Sequence, residues 1–96
     1  MVYNNVLLKV KGVENIQLVA DLLKEQAQRS SEEPGCIRFE VYHSKSDAQQ
    51  FILVEQWASE EDLENHKKAK AFIELYLPKV IPLVERHPHM SELIWP

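Results

Sequence analysis

Residues 36–57, CIRFEVYHSKSDAQQFILVEQW, decide the fold. Two runs rich in β-branched and aromatic residues flank a polar loop. In the first run, Cys36 to Ser44, Ile37, Phe39, Val41 and His43 alternate with Cys36, Arg38, Glu40 and Tyr42, the two-residue period of a strand. The second run, Phe51 to Trp57, is apolar on both sides, with Phe51, Leu53 and Trp57 on one and Ile52 and Val54 on the other. That pattern predicts a central strand covered on both faces. Ser44 to Gln50 reads as a hairpin loop with Asp47 as its turn residue.

On the N-terminal side, Glu33-Pro34-Gly35 marks the end of a helix. From about Asn15, Ile16, Val19, Leu22, Leu23 and Ala27 recur at helical spacing, opposite Asp21, Lys24, Glu25 and Arg29. Ahead of it, Tyr3 to Val10 alternates Val6, Leu8 and Val10 with Asn5, Leu7 and Lys9, and Gly12 ends that strand. On the C-terminal side, Ser59-Glu60-Glu61-Asp62 resembles a capping box that opens a short helix reaching about Lys68. A longer helix is predicted from about Ala69 to Arg86, with a break or kink at Pro78. Met90 to Trp95, bracketed by Pro88 and Pro96, reads as a final edge strand.

The order β-α-β-β-α-β predicts one α+β domain over residues 1–96: a ferredoxin-like, four-stranded antiparallel sheet with helices on one face. On this reading the uncovered face carries Val6, Leu8, Val10, Ile52 and Val54, an apolar surface that a two-fold dimer would hide. A homodimer is therefore expected.

Charge and composition exclude several function classes. The net charge of −4, without clustered Lys and Arg, argues against nucleic acid and against an anionic membrane surface. No apolar run is long enough to span a bilayer, and Asn4, Asn5, Lys9 and Lys11 interrupt any signal-peptide core. The expectation is a soluble, cytoplasmic domain. The single cysteine, Cys36, excludes an internal disulfide and a thiolate zinc site. His87-Pro88-His89 lacks a carboxylate at helical spacing, so no metal site is expected. No Gly-rich nucleotide motif is present, and no flavin or nicotinamide cofactor is expected.

Glu33-Pro34-Gly35-Cys36, Arg38-Phe39, Tyr42, the strand Phe51 to Trp57 with its Glu55, Leu63, and His66 nine positions beyond Trp57 together resemble the antibiotic biosynthesis monooxygenase family. The resemblance covers nearly the whole chain. It implies a dimeric α+β barrel with a small-molecule pocket between sheet and helices, and activities ranging from quinol and polyketide oxygenation to haem degradation and processing of quorum signals. In haem-degrading members, alignment on the glycine after the first strand places Asn5 at a site asparagine. Tyr76 then stands where the iron-binding histidine would be, which disfavours haem. Trp57 matches a tryptophan of polyketide-oxidising members, although Leu53 replaces the asparagine four residues earlier. Arg38-Phe39, Val41 and His66-Lys67 match enzymes that process phosphorylated autoinducer-2.

These matches nominate His66 as a proton-transfer group and Asn5 as the amide that holds a substrate carbonyl or enolate oxygen. Trp57, Phe72 and Tyr76 are candidates to line the pocket, and Tyr42 to reach it with its hydroxyl. Glu55 is expected to be partly buried and to pair with Arg38, the other polar candidates for substrate contact. Each has a plain structural alternative: a capped helix histidine, a strand-edge asparagine, core aromatics, an ion pair. Three functions remain open at this point. One is a cofactor-independent monooxygenase acting on an electron-rich quinol or polyphenol, with His66 as base. Another is an isomerase acting on a phosphorylated keto-sugar, with Lys67, Lys68 or Arg38 attracting the phosphate. The last is a non-enzymatic dimeric module that binds a metabolite.

Overall fold

In the computed structural model, which describes residues 1–96, β1 (Val2–Val10) leads through a 3-10 turn (Val13–Asn15) into α1 (Ile16–Ser30). β2 (Cys36–His43) and β3 (Gln50–Trp57) form the hairpin. α2 (Glu60–His66) and α3 (Ala71–Val80) follow, and a 3-10 turn (Ile81–Leu83) delivers the chain into β4 (Val84–Ser91). The sheet order is β2-β3-β1-β4, antiparallel throughout. This is the ferredoxin-like α+β arrangement. No helix is long and apolar enough to cross a membrane.

Two elements differ from the sequence reading. Helical structure ends at Leu83 rather than Arg86, and the last strand runs over Val84–Ser91 rather than Met90 to Trp95. Local apolar spacing reaches Val84, but β1, paired with β3 on one edge, takes up the following residues on its other edge. Eight β4 residues pair with it, from Val84 opposite Val10 to Ser91 opposite Tyr3. Pro88 is tolerated because β4 is an edge strand. Nor does Pro78 break its helix. Residues 71–80 widen into a π-helix, where the Ile81 N–H reaches the Tyr76 carbonyl five residues back. The buried positions Ala71, Leu75, Tyr76 and Val80 follow that wider turn.

The face of β1 is also the reverse of the expectation. Val6, Leu8 and Val10 are fully buried beneath the helices, packed with Val19, Leu23, Phe51, Leu53, Tyr76, Val80 and Val84. The open face carries Asn5 and Leu7 instead, opposite Val54 and Ile52. A second apolar cluster, Val2, Phe39, Trp57 and Leu63, occupies the other end of the covered side.

Polar residues are buried where the two clusters meet. Along β1, Asn4 lies between Val2 of one cluster and Val6 of the other. Along β3, Glu55 lies between Leu53 and Trp57 in the same way. On α1 the buried positions Val19 and Leu23 give way, one turn on, to buried Gln26 and then Ser30. Asn4 and Glu55 follow their strands' core residues inside, since each shares their phase.

Candidate functional site

The site is built around His66, in the last turn of α2. Ser59 starts that helix: its Oγ accepts the Asp62 N–H (3.1 Å) and donates to the Asp62 carboxylate (2.9 Å). Leu63 and His66, three apart, then share the inward face. The His66 ring is only 3% exposed. It packs on Trp57 with ring centroids 4.5 Å apart, and Phe39 (5.8 Å) and Phe72 (5.4 Å, edge-on) complete the aromatic walls.

Carboxylates stand on both sides of the imidazole. Glu33 Oε1 lies 2.6 Å from Nδ1. Glu55 Oε1 lies 4.0 Å from Nε2, too far for a direct hydrogen bond. Glu55, 4% exposed, accepts the Trp57 indole N–H at 3.1 Å. Burial raises the Glu55 pKa, and nearby Glu33 adds to the rise. The Trp57 hydrogen bond, His66 and Arg86 oppose it. Opposite Glu55 on β1 stands Asn4, 5% exposed, whose Oδ1 has no hydrogen-bond partner. Gln26 Oε1 and Ser30 Oγ are buried without partners as well. Buried polar atoms of this kind are uncommon in folded proteins.

Tyr76 closes the far side, its ring 5.3 Å from Phe72. The Arg86 Nε–H donates to its hydroxyl at 2.9 Å, and the guanidinium carbon lies 5.9 Å from the ring centre. Burial raises the Tyr76 phenol pKa, against the pull of Arg86. Cys36 is pushed up to about 11, first by burial and then by Glu33 and Glu55, which leaves its thiol protonated and unreactive near neutral pH.

The structure therefore gathers His66, Trp57, Glu55, Phe72 and Tyr76, and leaves out the other three candidates. Asn5 is on the open face, donating to Ser91 Oγ at 3.1 Å, because one step along a strand reverses the side chain. Arg38 does not pair with Glu55. It bonds Glu40 on the open face at 2.8 Å, and the Tyr42 hydroxyl donates to the same carboxylate at 2.6 Å. Lys67 is tied to Glu64 at the surface. Sequence reasoning missed three residues. Asn4 was detectable from its phase with Val2, Val6 and Leu8. Glu33 was visible as the first residue of its turn motif, without a sign of where it points. Arg86 gave no signal once it was assigned to a helix.

Beside the site, α1 and the edge strand β2 enclose an open groove of about 440 Å³, lined among others by Ala20, Lys24, Ala27, Val41, His43 and Phe51. Ala27 and Val41 also pack against the cluster of Phe39, Trp57 and Leu63, so the groove ends at the aromatic wall of the site. No group of three or more His, Cys, Asp and Glu side chains is arranged to hold a metal ion.

A family model for antibiotic biosynthesis monooxygenases matches residues 1–76. The chain belongs to the antibiotic biosynthesis monooxygenase family. Its matched region runs from β1 into α3 and takes in every residue around His66 except Arg86. None of the curated proteins matches the chain. Among solved structures, a conserved protein of unknown function from Bacteroides thetaiotaomicron, described as a possible oxidoreductase, is 26% identical, with a TM-score of 0.88 and 96% of each chain covered. A protein from Nitrosomonas europaea, provisionally assigned to antibiotic biosynthesis monooxygenases, is 18% identical, with a TM-score of 0.85 and coverage of 97% of this chain and 99% of that one. A variant of SnoaB, a cofactor-independent oxygenase from Streptomyces nogalater, shares the family fold at 10% identity, with a TM-score of 0.86 and coverage of 99% and 94%.

Proposed function

We propose that the protein is a cytoplasmic, cofactor-independent monooxygenase acting on an electron-rich quinol or polyphenol, with His66 as the base. The observation that carries this reading is the setting of His66: a buried imidazole between aromatic rings, with one nitrogen on Glu33 and the other directed toward Glu55. An imidazole exchanges protons near neutral pH, and a groove that ends against aromatic side chains suits a flat phenolic guest. The similarity to SnoaB supports the reaction class.

His66 Nε2 takes a proton from a phenolic hydroxyl, and the resulting phenolate is the electron donor to dioxygen. The overall reaction balances without an external reductant. A quinol and dioxygen give a hydroxylated quinone and water, one oxygen atom bonding to carbon and the other leaving as water. Asn4, with its unpartnered carbonyl, holds a second hydroxyl. The Tyr76–Arg86 pair offsets negative charge as it develops on the ring oxygens. The groove between α1 and β2 receives the ring, and Trp57, Phe72 and His66 form the aromatic layer behind its inner end. The active form is a homodimer joined through the open sheet face, where Leu7 and Tyr42 are exposed beside Ile52 and Val54.

Oxygen consumption with menadiol, compared with buffer alone, tests this reading. The expected result is a rate above buffer that His66→Ala abolishes without changing the oligomeric state, and one atom of label from ¹⁸O₂ in the product. A wild-type rate equal to buffer rejects it.

A further inference from the structure

Glu33 and His66 meet through a short, largely buried contact. Glu33 Oε1 sits 2.6 Å from Nδ1, and the Glu33 side chain is 15% exposed against 3% for His66. An ionised carboxylate only accepts hydrogen bonds, and a neutral imidazole carries a single N–H. The opposite nitrogen, Nε2, faces the Glu55 carboxyl across 4.0 Å, so the two acid groups compete for the same ring proton and the nearer one prevails. We propose that Glu33 is a positioning residue that fixes the tautomer of His66, keeping the proton on Nδ1 so that Nε2 stays a free base. This rests on the proposed role of His66 and extends it.

The turn that carries Glu33 is built to hold it still. α1 ends at Ser30, Pro34 restricts the chain, and Gly35 adopts φ 80°. The Cys36 N–H bonds the Glu33 carbonyl (3.1 Å), and the Ala58 N–H bonds the Gly35 carbonyl (2.8 Å), tying the turn to β3. A Cβ on Gly35 would stand 2.1 Å from the Asp62 carboxyl carbon, so the turn is also seated directly on α2, the helix that presents His66. One contact fixes the backbone and the other fixes the ring. Once Nε2 has taken a substrate proton, the same carboxylate steadies the imidazolium.

The test needs no substrate. Long-range ¹⁵N–¹H NMR of histidine-labelled protein, at a pH where free imidazole is neutral, reads which ring nitrogen of His66 bears the proton. The expected wild-type pattern is a protonated Nδ1 and a bare Nε2. In Glu33→Ala the proton moves to Nε2, toward Glu55, while Glu33→Gln, whose amide oxygen still accepts, retains the wild-type pattern at least in part. A wild-type ring protonated at Nε2 overturns the proposal, and so does a Glu33→Ala ring still protonated at Nδ1. If Glu33→Ala does not fold, the wild-type spectrum decides. With menadiol, Glu33→Ala should lower kcat by about 100-fold or more, up to the roughly 10⁴-fold that loss of the carboxylate orienting an imidazole base can cost, and leave KM nearly unchanged. A wild-type protein with the expected tautomer but no oxygen consumption would reject the oxygenase reading and leave the role of Glu33 intact.

Discussion

Asn4 and Glu55 stand opposite each other across the β1–β3 ladder, both side chains turned under the helices. An amide whose Oδ1 has no partner and a carboxyl with a raised pKa thus sit side by side in the layer that elsewhere holds the hydrophobic core. Their neighbours along the strands, one step away, look out from the open face. The row links to His66 through Glu55, and substitutions can probe it.

Asn4→Leu removes a buried polar atom that has no bond and keeps the volume. Stability should hold or rise, by up to about 1–2 kcal/mol, while menadiol turnover falls. Asn5→Ala should cost less than about 0.5 kcal/mol and leave turnover unchanged, because its one bond, to Ser91, is exposed. Urea melts and oxygen uptake on the two variants check the pair. The reverse ranking in activity would return the catalytic amide to the open face.

Glu55→Gln tests the buried carboxyl through pH. Its folded pKa is raised, so the folded state holds this proton more tightly than the unfolded chain does. The associated stability is present below the unfolded value and is lost as pH rises through the folded one. Thermal melts should therefore show Glu55→Gln gaining on the wild type between pH 4 and pH 8, by about 1.4 kcal/mol for each unit of upward shift. A constant difference across that range would mean that the carboxyl ionises normally.

Trp57→Phe keeps an aromatic ring but removes the indole N–H that Glu55 accepts. A loss of about 2–3 kcal/mol is expected from the unfilled volume together with the unpaired acceptor. The Glu55 pKa should rise further, since that hydrogen bond lowers it. Carboxyl ¹³C titration of the two proteins measures the change.

Gly35→Ala should be costly for two reasons. The backbone at φ 80° disfavours a side chain by about 1 kcal/mol, and the added methyl meets Asp62. Chemical denaturation should show a total loss of at least about 2 kcal/mol. The Glu33–His66 contact should loosen with it, visible as a shift of the His66 ring resonances.

For the dimer, Leu7→Asp places a charge at the centre of the open face without touching the core, because Leu7 is already 37% exposed in the single chain. Sedimentation should show dimer for the wild type and monomer for the variant, with unchanged circular dichroism. A wild-type monomer at micromolar concentration would remove the homodimer from the proposed function.

Much of this molecule was legible in its residues. The hairpin of β2 and β3, the helix that stops before Glu33-Pro34-Gly35 and the Ser59 cap all follow from local rules of spacing and punctuation, and all are present. His66, Trp57 and Glu55 stand out by motif, and Phe72 and Tyr76 by helical spacing, and the five side chains lie in one buried cluster. The misplaced elements are those governed by remote partners. The apolar run of the preceding helix ends at Val84, and β1 recruits the largely polar residues that follow as a strand. Arg86 reaches Tyr76 only because of that recruitment.

Taken alone, the order of residues determined the elements, their sequence along the chain and the period-two partition of each strand, because these depend on neighbours a few positions apart. Which half of β1 lies beneath the helices depended on packing against α1 and α3, and alternation is symmetric between the two faces. That choice made Asn4 rather than Asn5 an interior residue, and it brought Glu33 and His66, 33 positions apart, into contact.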